Sequence, residues 1–222
     1  MLLLLFDIDG TLLQQAATEH ARALREAAGE AHGVSLGDIE VEVAGRTDPA
    51  IARDLLGAVG VTEVDGGWER AAIAAYERLC PADLSDRVAP GIADLLKALT
   101  TRPDDFRLSL VTGNLEPIAR LKLARAGVGH FFAPGQGGFG SDHEDRARLP
   151  AIARARACDP PWRRERTVVI GDTPRDIACA RVDEVRVAAV ATGPFAVEAL
   201  ADADAVVDDA RALLPVLSDW AL

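Results

Sequence analysis

Residues 2–12 read Leu2-Leu3-Leu4-Leu5-Phe6-Asp7-Ile8-Asp9-Gly10-Thr11-Leu12. Five consecutive apolar residues without polar alternation describe a strand buried on both faces, as in the middle of a parallel sheet. The run stops at an acid, and a second acid follows two residues later. Side chains at i and i+2 of an extended segment project to the same side, so Asp7 and Asp9 leave the strand end together. Gly10 and Thr11 then suit a turn. In open parallel sheets ligands bind beyond the carboxyl ends of the strands, which is where this pair sits.

Two later stretches repeat the design. Residues 107–111 (Arg-Leu-Ser-Leu-Val) run into Thr112-Gly113-Asn114, and residues 167–170 (Thr-Val-Val-Ile) run into Gly171-Asp172-Thr173-Pro174-Arg175-Asp176. Residues 185–190 and, more weakly, 204–207 also read as strands. Helical patterns over 91–100, 115–127, 145–157, 174–182, 195–201 and 209–217 lie between them, with start signals at Pro90 and Thr173-Pro174. This alternation predicts an α/β fold with a doubly wound parallel sheet and right-handed crossovers.

Residues 14–85 break the alternation. They hold helical patterns near 15–32, 48–58 and 66–80, joined at Gly33, Gly45, Gly60 and Gly66-Gly67, and no buried strand. The stretch far exceeds the dozen or so residues a crossover needs. It is read as an all-helical cap inserted after the first strand, giving a core of 1–13 and 86–222 and a cap of 14–85.

The chain has 222 residues, a 49% hydrophobic fraction and a formal net charge of −11. That hydrophobic content excludes global disorder. The acidity argues against nucleic acid or an anionic membrane as partner. No apolar run reaches the roughly 18 residues of a membrane span, and no basic region precedes Leu2. Three cysteines without CxxC spacing read as free thiols, which predicts a cytoplasmic protein. Among 24 basic residues only Lys97 and Lys122 are lysines. A lysine retained in so Arg-rich a chain suggests a need for a compact point charge. Lys122, two turns into the helix after Thr112, can reach back to the strand ends, whereas Lys97 reads as solvated.

If the first strand is central and the other two flank it, Asp7, Asp9 and Asp172 converge. Such a cluster calls for protons or a cation, and Mg²⁺ with oxygen ligands is the natural solution. Thr112 reads either as a helix N-cap or as a phosphoryl ligand. Asp176 reads as a helix-start acid or an ion-pair partner.

Phe6-Asp7-Ile8-Asp9-Gly10-Thr11-Leu12, Val111-Thr112-Gly113-Asn114, Lys122 and Gly171-Asp172-Thr173-Pro174-Arg175-Asp176 together resemble the haloacid dehalogenase-like hydrolase superfamily. The motifs stand in the family's order over essentially the whole chain, and the closest likeness is to its capped, phosphoglycolate phosphatase-like branch. The resemblance implies a Rossmann-like core and an Mg²⁺-dependent phosphatase acting on a small phosphate monoester. Asp7 would be the nucleophile and Asp9 the general acid and base. Thr112, Gly113, Asn114 and Lys122 would bind the phosphoryl group. Mg²⁺ would be held by Asp7, the backbone carbonyl of Asp9, and Asp172, with Asp176 acting through water or orienting Lys122. Relatives that cleave carbon–halogen bonds lack the second acid, so Asp9 points to phosphoryl transfer.

Many relatives carry the phosphate lysine in a later Lys-Pro loop. The corresponding residues 138–146 contain no lysine, so the role is assigned to Lys122. Arg146 there reads as a helix-start ion-pair partner, with a place near phosphate as the alternative, and His143 as a loop residue. In the cap, Gly45-Arg46-Thr47-Asp48-Pro49 resembles a loop that dips toward the active site. It is equally an ordinary turn in which Thr47 or Asp48 caps a helix. In the first reading Arg46 would grip a substrate carboxylate or second phosphate. Phosphoglycolate-like substrates lead by resemblance, with sugar phosphates next. A sugar phosphomutase using the same Asp pair is the alternative, and a phospho-accepting signalling module the reading from another class. The expected state is a monomer or homodimer.

Overall fold

A computed structural model describes residues 1–158 and 160–222. The opening run forms strand β1 (Leu2–Phe6), buried along its whole length. Leu2, Leu4 and Phe6 enter one apolar cluster and Leu3 and Leu5 another, so the strand has no solvent face. Burial of side chains this size stabilises by roughly 1.5–3 kcal/mol apiece, which fixes β1 inside the sheet.

The helices inserted after β1 are α1 (Thr18–His32), α2 (Asp48–Gly57) and α3 (Gly67–Leu79), and they form a cap. Their inner faces, including Ala23, Leu24, Ile51, Leu55, Trp68 and Tyr76, belong to the same apolar cluster as Leu2, Leu4 and Phe6. The chain leaves and re-enters the core at one place. Leu13 pairs antiparallel with Val88, Gln14 N donates to Arg87 O at 2.8 Å, and Ala89 N donates to Leu12 O at 3.0 Å.

The rest alternates: α4 (Ile92–Thr100), β2 (Phe106–Thr112), α5 (Glu116–Arg125), β3 (Gly138–Phe139), α6 (Leu149–Ala157), β4 (Thr167–Gly171), α7 (Pro174–Val182), β5 (Arg186–Val190), β6 (Ala205–Val207) and α8 (Leu213–Ala221). The strands form one parallel sheet in the order β3-β2-β1-β4-β5-β6. Helices α4, α5 and α8 cover the face of Leu2, Leu4 and Phe6, while α6 and α7 cover the other. Phe6 lies opposite Leu110 on one side and Ile170 on the other. The polar segments after β1, β2 and β4 therefore emerge side by side.

The sequence-based elements stand with three differences. The helix expected over 195–201 is a single 3₁₀ turn, Val197–Leu200. The helices expected from 145 and 209 begin later, because Asp145 and Asp209 each cap a short 3₁₀ turn first. Strand β3 was not expected; two residues, one of them glycine, carry no periodic signal. No helix among the described residues is long and apolar enough to cross a membrane.

Candidate active site

Asp7 follows β1, and its N–H donates to Ile170 O at 2.8 Å, which ties the strand end to β4. The Arg146 guanidinium lies against it, Nη2 to Asp7 Oδ1 at 3.1 Å, and also pairs with Asp176 Oδ1. Asp176 is aimed by the start of α7. Its Oδ2 accepts from Thr173 N at 3.0 Å and Thr173 Oγ1 at 2.8 Å, and Thr173 Oγ1 accepts from Asp176 N at 3.3 Å. This reciprocal capping box leaves the other oxygen of Asp176 for Arg146.

Asp172 Oδ1 accepts from Thr11 Oγ1 at 3.0 Å. Its Oδ2 is buried and has no partner. Gly10, at φ +92°, makes room for it, since a Cβ there would lie 2.1 Å from that oxygen. One oxygen each from Asp7, Asp172 and Asp176 lies within 4.8 Å of the others. Burial is the largest cause of raised proton affinity at both Asp7 and Asp172, and neighbouring carboxylates add to it against the opposing Arg146 charge. Asp7 is pushed up to about 7 and Asp172 to about 8. Three hard oxygen donors, one of them orphaned, with a single guanidinium among them, fit a divalent cation such as Mg²⁺.

Asp9 belongs to a second network. Lys122 Nζ lies 2.8 and 2.6 Å from its two carboxylate oxygens, 2.8 Å from Asn114 Oδ1 and 3.0 Å from His20 Nδ1. Asn114 Nδ2 closes the ring by donating to Asp9 Oδ2 at 3.0 Å. Lys122 is fully buried, a position an ammonium holds only when its donors are satisfied. An ammonium has no acceptor, so His20 Nδ1 accepts, and the ring proton sits on Nε2. That nitrogen donates to Asp48 Oδ2 at 3.0 Å, which also accepts from Leu115 N at 2.7 Å. Burial alone would raise Asp9. The charge of Lys122, with the hydrogen bonds from Lys122 and Asn114, outweighs it and holds Asp9 below its usual range.

Cap and core meet over these groups. Asp48 N donates to Gly113 O at 2.8 Å, and Thr47 Oγ1 donates to Glu144 O at 2.6 Å. A Cβ on Gly113 would lie 2.0 Å from Arg46 O, so only glycine admits the cap loop this close. Between cap and strand ends lies a cavity of about 760 Å³ reaching Asp7, Asp9, Thr112, Asn114, Arg146 and Asp172.

Residues 4–181 match the family described as haloacid dehalogenase-like hydrolase. The chain belongs to this family. No curated protein matches the hydrolase in sequence. Among solved structures, β-phosphoglucomutase from Clostridium difficile superposes with a TM-score of 0.69 at 17% identity, covering 100% of this chain and 97% of that one. A predicted phosphoglycolate phosphatase from Haemophilus somnus gives 0.69 at 19%, covering 96% of each. CbbY from Rhodobacter sphaeroides, solved with phosphate, gives 0.63 at 21%, again covering 96% of each. At these identities the likeness is one of fold.

Within the hydrolase, Asp7, Asp9, Thr112, Asn114, Arg46 and Asp172 line one cavity, with Asp176 behind Arg146. Thr112 does not cap α5. The N-cap position is Leu115, and the N–H there is taken by Asp48 from the cap. In the cap loop, Thr47 is the N-cap of α2, accepting from Ala50 N at 3.3 Å, and Arg46 Nη1 pairs with Asp54. Lys122 touches Asp9, Asn114 and His20, and the cation on Asp7 is Arg146. Asp176 accordingly orients Arg146, not Lys122. His143 is an exposed loop residue whose Nδ1 accepts from Asp145 N at 2.9 Å.

Sequence reasoning passed over His20, Thr11 and the inward role of Asp48. A histidine on the apolar face of α1, beside Ala23, Leu24 and Ala27, was the available signal for the first.

Proposed function

We propose that the protein is an Mg²⁺-dependent phosphatase that hydrolyses a small phosphate monoester through an aspartyl-phosphate on Asp7. The observation that supports this most directly is the division of the acids. Asp7 stands with Asp172 and Asp176 around one unpartnered oxygen, while Asp9 stands apart in the grip of Lys122.

The division gives each acid its work. Asp7 attacks phosphorus, and the bond from phosphorus to the alcohol oxygen breaks. Asp9 delivers a proton to that oxygen, then takes one from the water that cleaves the aspartyl-phosphate. Lys122 keeps Asp9 ionised at rest; a dianionic phosphate entering beside it raises its proton affinity and loads it as an acid. Arg146, with Thr112 and Asn114, faces the phosphoryl oxygens and stabilises the charge spread over them in the transition state. Mg²⁺, held by Asp7 and Asp172 with Asp176 behind them, would offset the negative charge of carboxylate and phosphate together. The closed cap excludes bulk water. Three free thiols, Cys80, Cys158 and Cys179, suit a reducing compartment such as the cytoplasm.

The test is phosphate release from a panel of phosphate monoesters with Mg²⁺ and with EDTA. Metal-dependent turnover by the native protein and none by a folded Asp7→Asn variant is the expected result. Full activity in Asp7→Asn would refute the covalent route. Isomerisation of a sugar phosphate without phosphate release would assign a mutase instead.

A further inference from the structure

The cavity has two chemically unlike ends. Its floor is the set of acids and cations just described. Its upper wall comes from the cap and is formed by Ala17, Ala21, Leu24, Val41, Val43 and Ile51. A monoester anchored by phosphate on the floor must place its alcohol part against this wall.

The cations that border the wall each have a protein partner already. Arg46 Nη1 is paired with Asp54. Arg25 is turned away, with Nη1 donating to Leu36 O at 3.3 Å and Gly37 O at 3.0 Å, and Nη2 to Ile39 O at 2.7 Å. His20 is held between Lys122 and Asp48. Among the charged side chains that the cap contributes to the cavity, Glu40 has no ion-pair partner among the described residues, and it is an acid. A carboxylate or second phosphate on the substrate would lose water, meet Glu40, and have to compete with Asp54 for Arg46. For the hydroxyls of a carbohydrate the cap offers the exposed Glu40 and Gln15, while Gln14 Nε2 already donates to Thr192 O at 3.2 Å. The volume of about 760 Å³ falls in the roughly 300–1,000 Å³ range of pockets that enclose drug-sized ligands, far beyond what a two-carbon acid fills.

We propose that the leaving group is an uncharged, largely apolar alcohol, so that the preferred substrate is an alkyl-type phosphate monoester and not phosphoglycolate or a sugar phosphate. The inference rests on the phosphatase reading and narrows it. The bond that breaks joins phosphorus to the alcohol oxygen, the proton on that oxygen comes from Asp9, and the apolar chain makes no bond.

The experiment compares kcat/KM, with Mg²⁺, for ethyl, butyl and hexyl phosphate, 2-phosphoglycolate and glucose 1-phosphate. The expected result is a rise of about fourfold per added methylene, with hexyl phosphate at least tenfold above phosphoglycolate and glucose 1-phosphate. Val43 is 48% exposed, so Val43→Lys leaves the fold intact, and it should move the preference several-fold toward phosphoglycolate. Faster turnover of phosphoglycolate or glucose 1-phosphate than of hexyl phosphate by the native protein overturns the inference and leaves the phosphatase reading standing. If no ester turns over, the phosphatase reading fails. The wall is then judged by calorimetry alone: hexylphosphonate binding tighter than phosphonoacetate upholds its apolar character, and the reverse order overturns it.

Discussion

Arg146 Nη2 lies 3.1 Å from Asp7 Oδ1 while the same guanidinium pairs with Asp176. One nitrogen, Nη2, thus joins the proposed nucleophile to the start of α7, while Nε of the same guanidinium is buried without a partner. Arg146→Ala should lower kcat/KM with Mg²⁺ by about 10²–10³, the usual loss for one transition-state donor. Arg146→Lys should recover part of it. Steady-state kinetics of both variants decide this, and an unchanged kcat/KM in Arg146→Ala would remove Arg146 from the phosphoryl site.

Lys122 and Lys97 offer a matched comparison. Lys122 is fully buried among three partners, and Lys97 is exposed on α4. Lys122→Arg should cost at least about tenfold in kcat, since a guanidinium does not fit a hole shaped for one nitrogen. Lys97→Arg should stay within experimental error. Because Lys122 depresses Asp9, Lys122→Met should move the Asp9 limb of the pH–rate profile to higher pH. A profile that stays in place would mean Lys122 does not govern Asp9.

His20 links Asp48 on the cap to Lys122 on the core. Removing either cap residue leaves the other without its partner, so His20→Asn and Asp48→Asn should each depress kcat with a smaller effect on KM. The double variant should lose much less than the product of the two. Strict additivity in the double-mutant cycle would show that they act separately.

The raised Asp7 and Asp172 carboxyls have a consequence for stability. Both titrate near 3.8 when unperturbed, against about 7 and about 8 in the folded protein. Below the lower value both groups are protonated, folded or not. Between the two values the unfolded chain is ionised while the folded protein keeps its protons, so folding must take up protons that grow scarcer as pH rises, and stability is lost until about pH 8. Thermal melts in EDTA should therefore show these groups lowering Tm between about pH 4 and about pH 8 and adding no further slope above that. Added Mg²⁺ should raise Tm more at about pH 8 than at about pH 5, because it binds the ionised form. Equal Mg²⁺ shifts at both pH values would argue against a cation on these carboxylates.

Gly113 supports the cap loop at backbone distance, so Gly113→Ala would press a methyl group on Arg46 O. The expected outcome is a looser cap, seen as faster proteolysis between 14 and 87, with kcat/KM down at least about tenfold. Native-like proteolysis and activity would show that the loop yields.

What the sequence disclosed follows from how local each feature is. Leu2–Phe6 announces a doubly buried strand because its environment is uniform, and the acids at 7, 9 and 172 follow from where such strands end. Thr173-Pro174-Arg175-Asp176 carries a complete helix start within four residues. The Asp48–His20–Lys122–Asp9 chain is different, since its members come from α2, α1, α5 and the turn after β1 and meet only when the cap docks. Arg146 was legible only as two open readings, a helix-start ion-pair partner or a phosphate neighbour, for the same reason. Its position beside a helix start is legible, but its direction depends on an Asp176 that a distant capping box has already aimed.

The pairing of Leu13 with Val88 means that everything between them hangs from a single doorway. Asp7, Asp9, Asp172 and Asp176 lie outside that doorway, and the apolar wall of the cavity lies inside it. The same insertion carries His20 and Asp48, so a change of cap alters the cavity wall and the partners of Lys122 together.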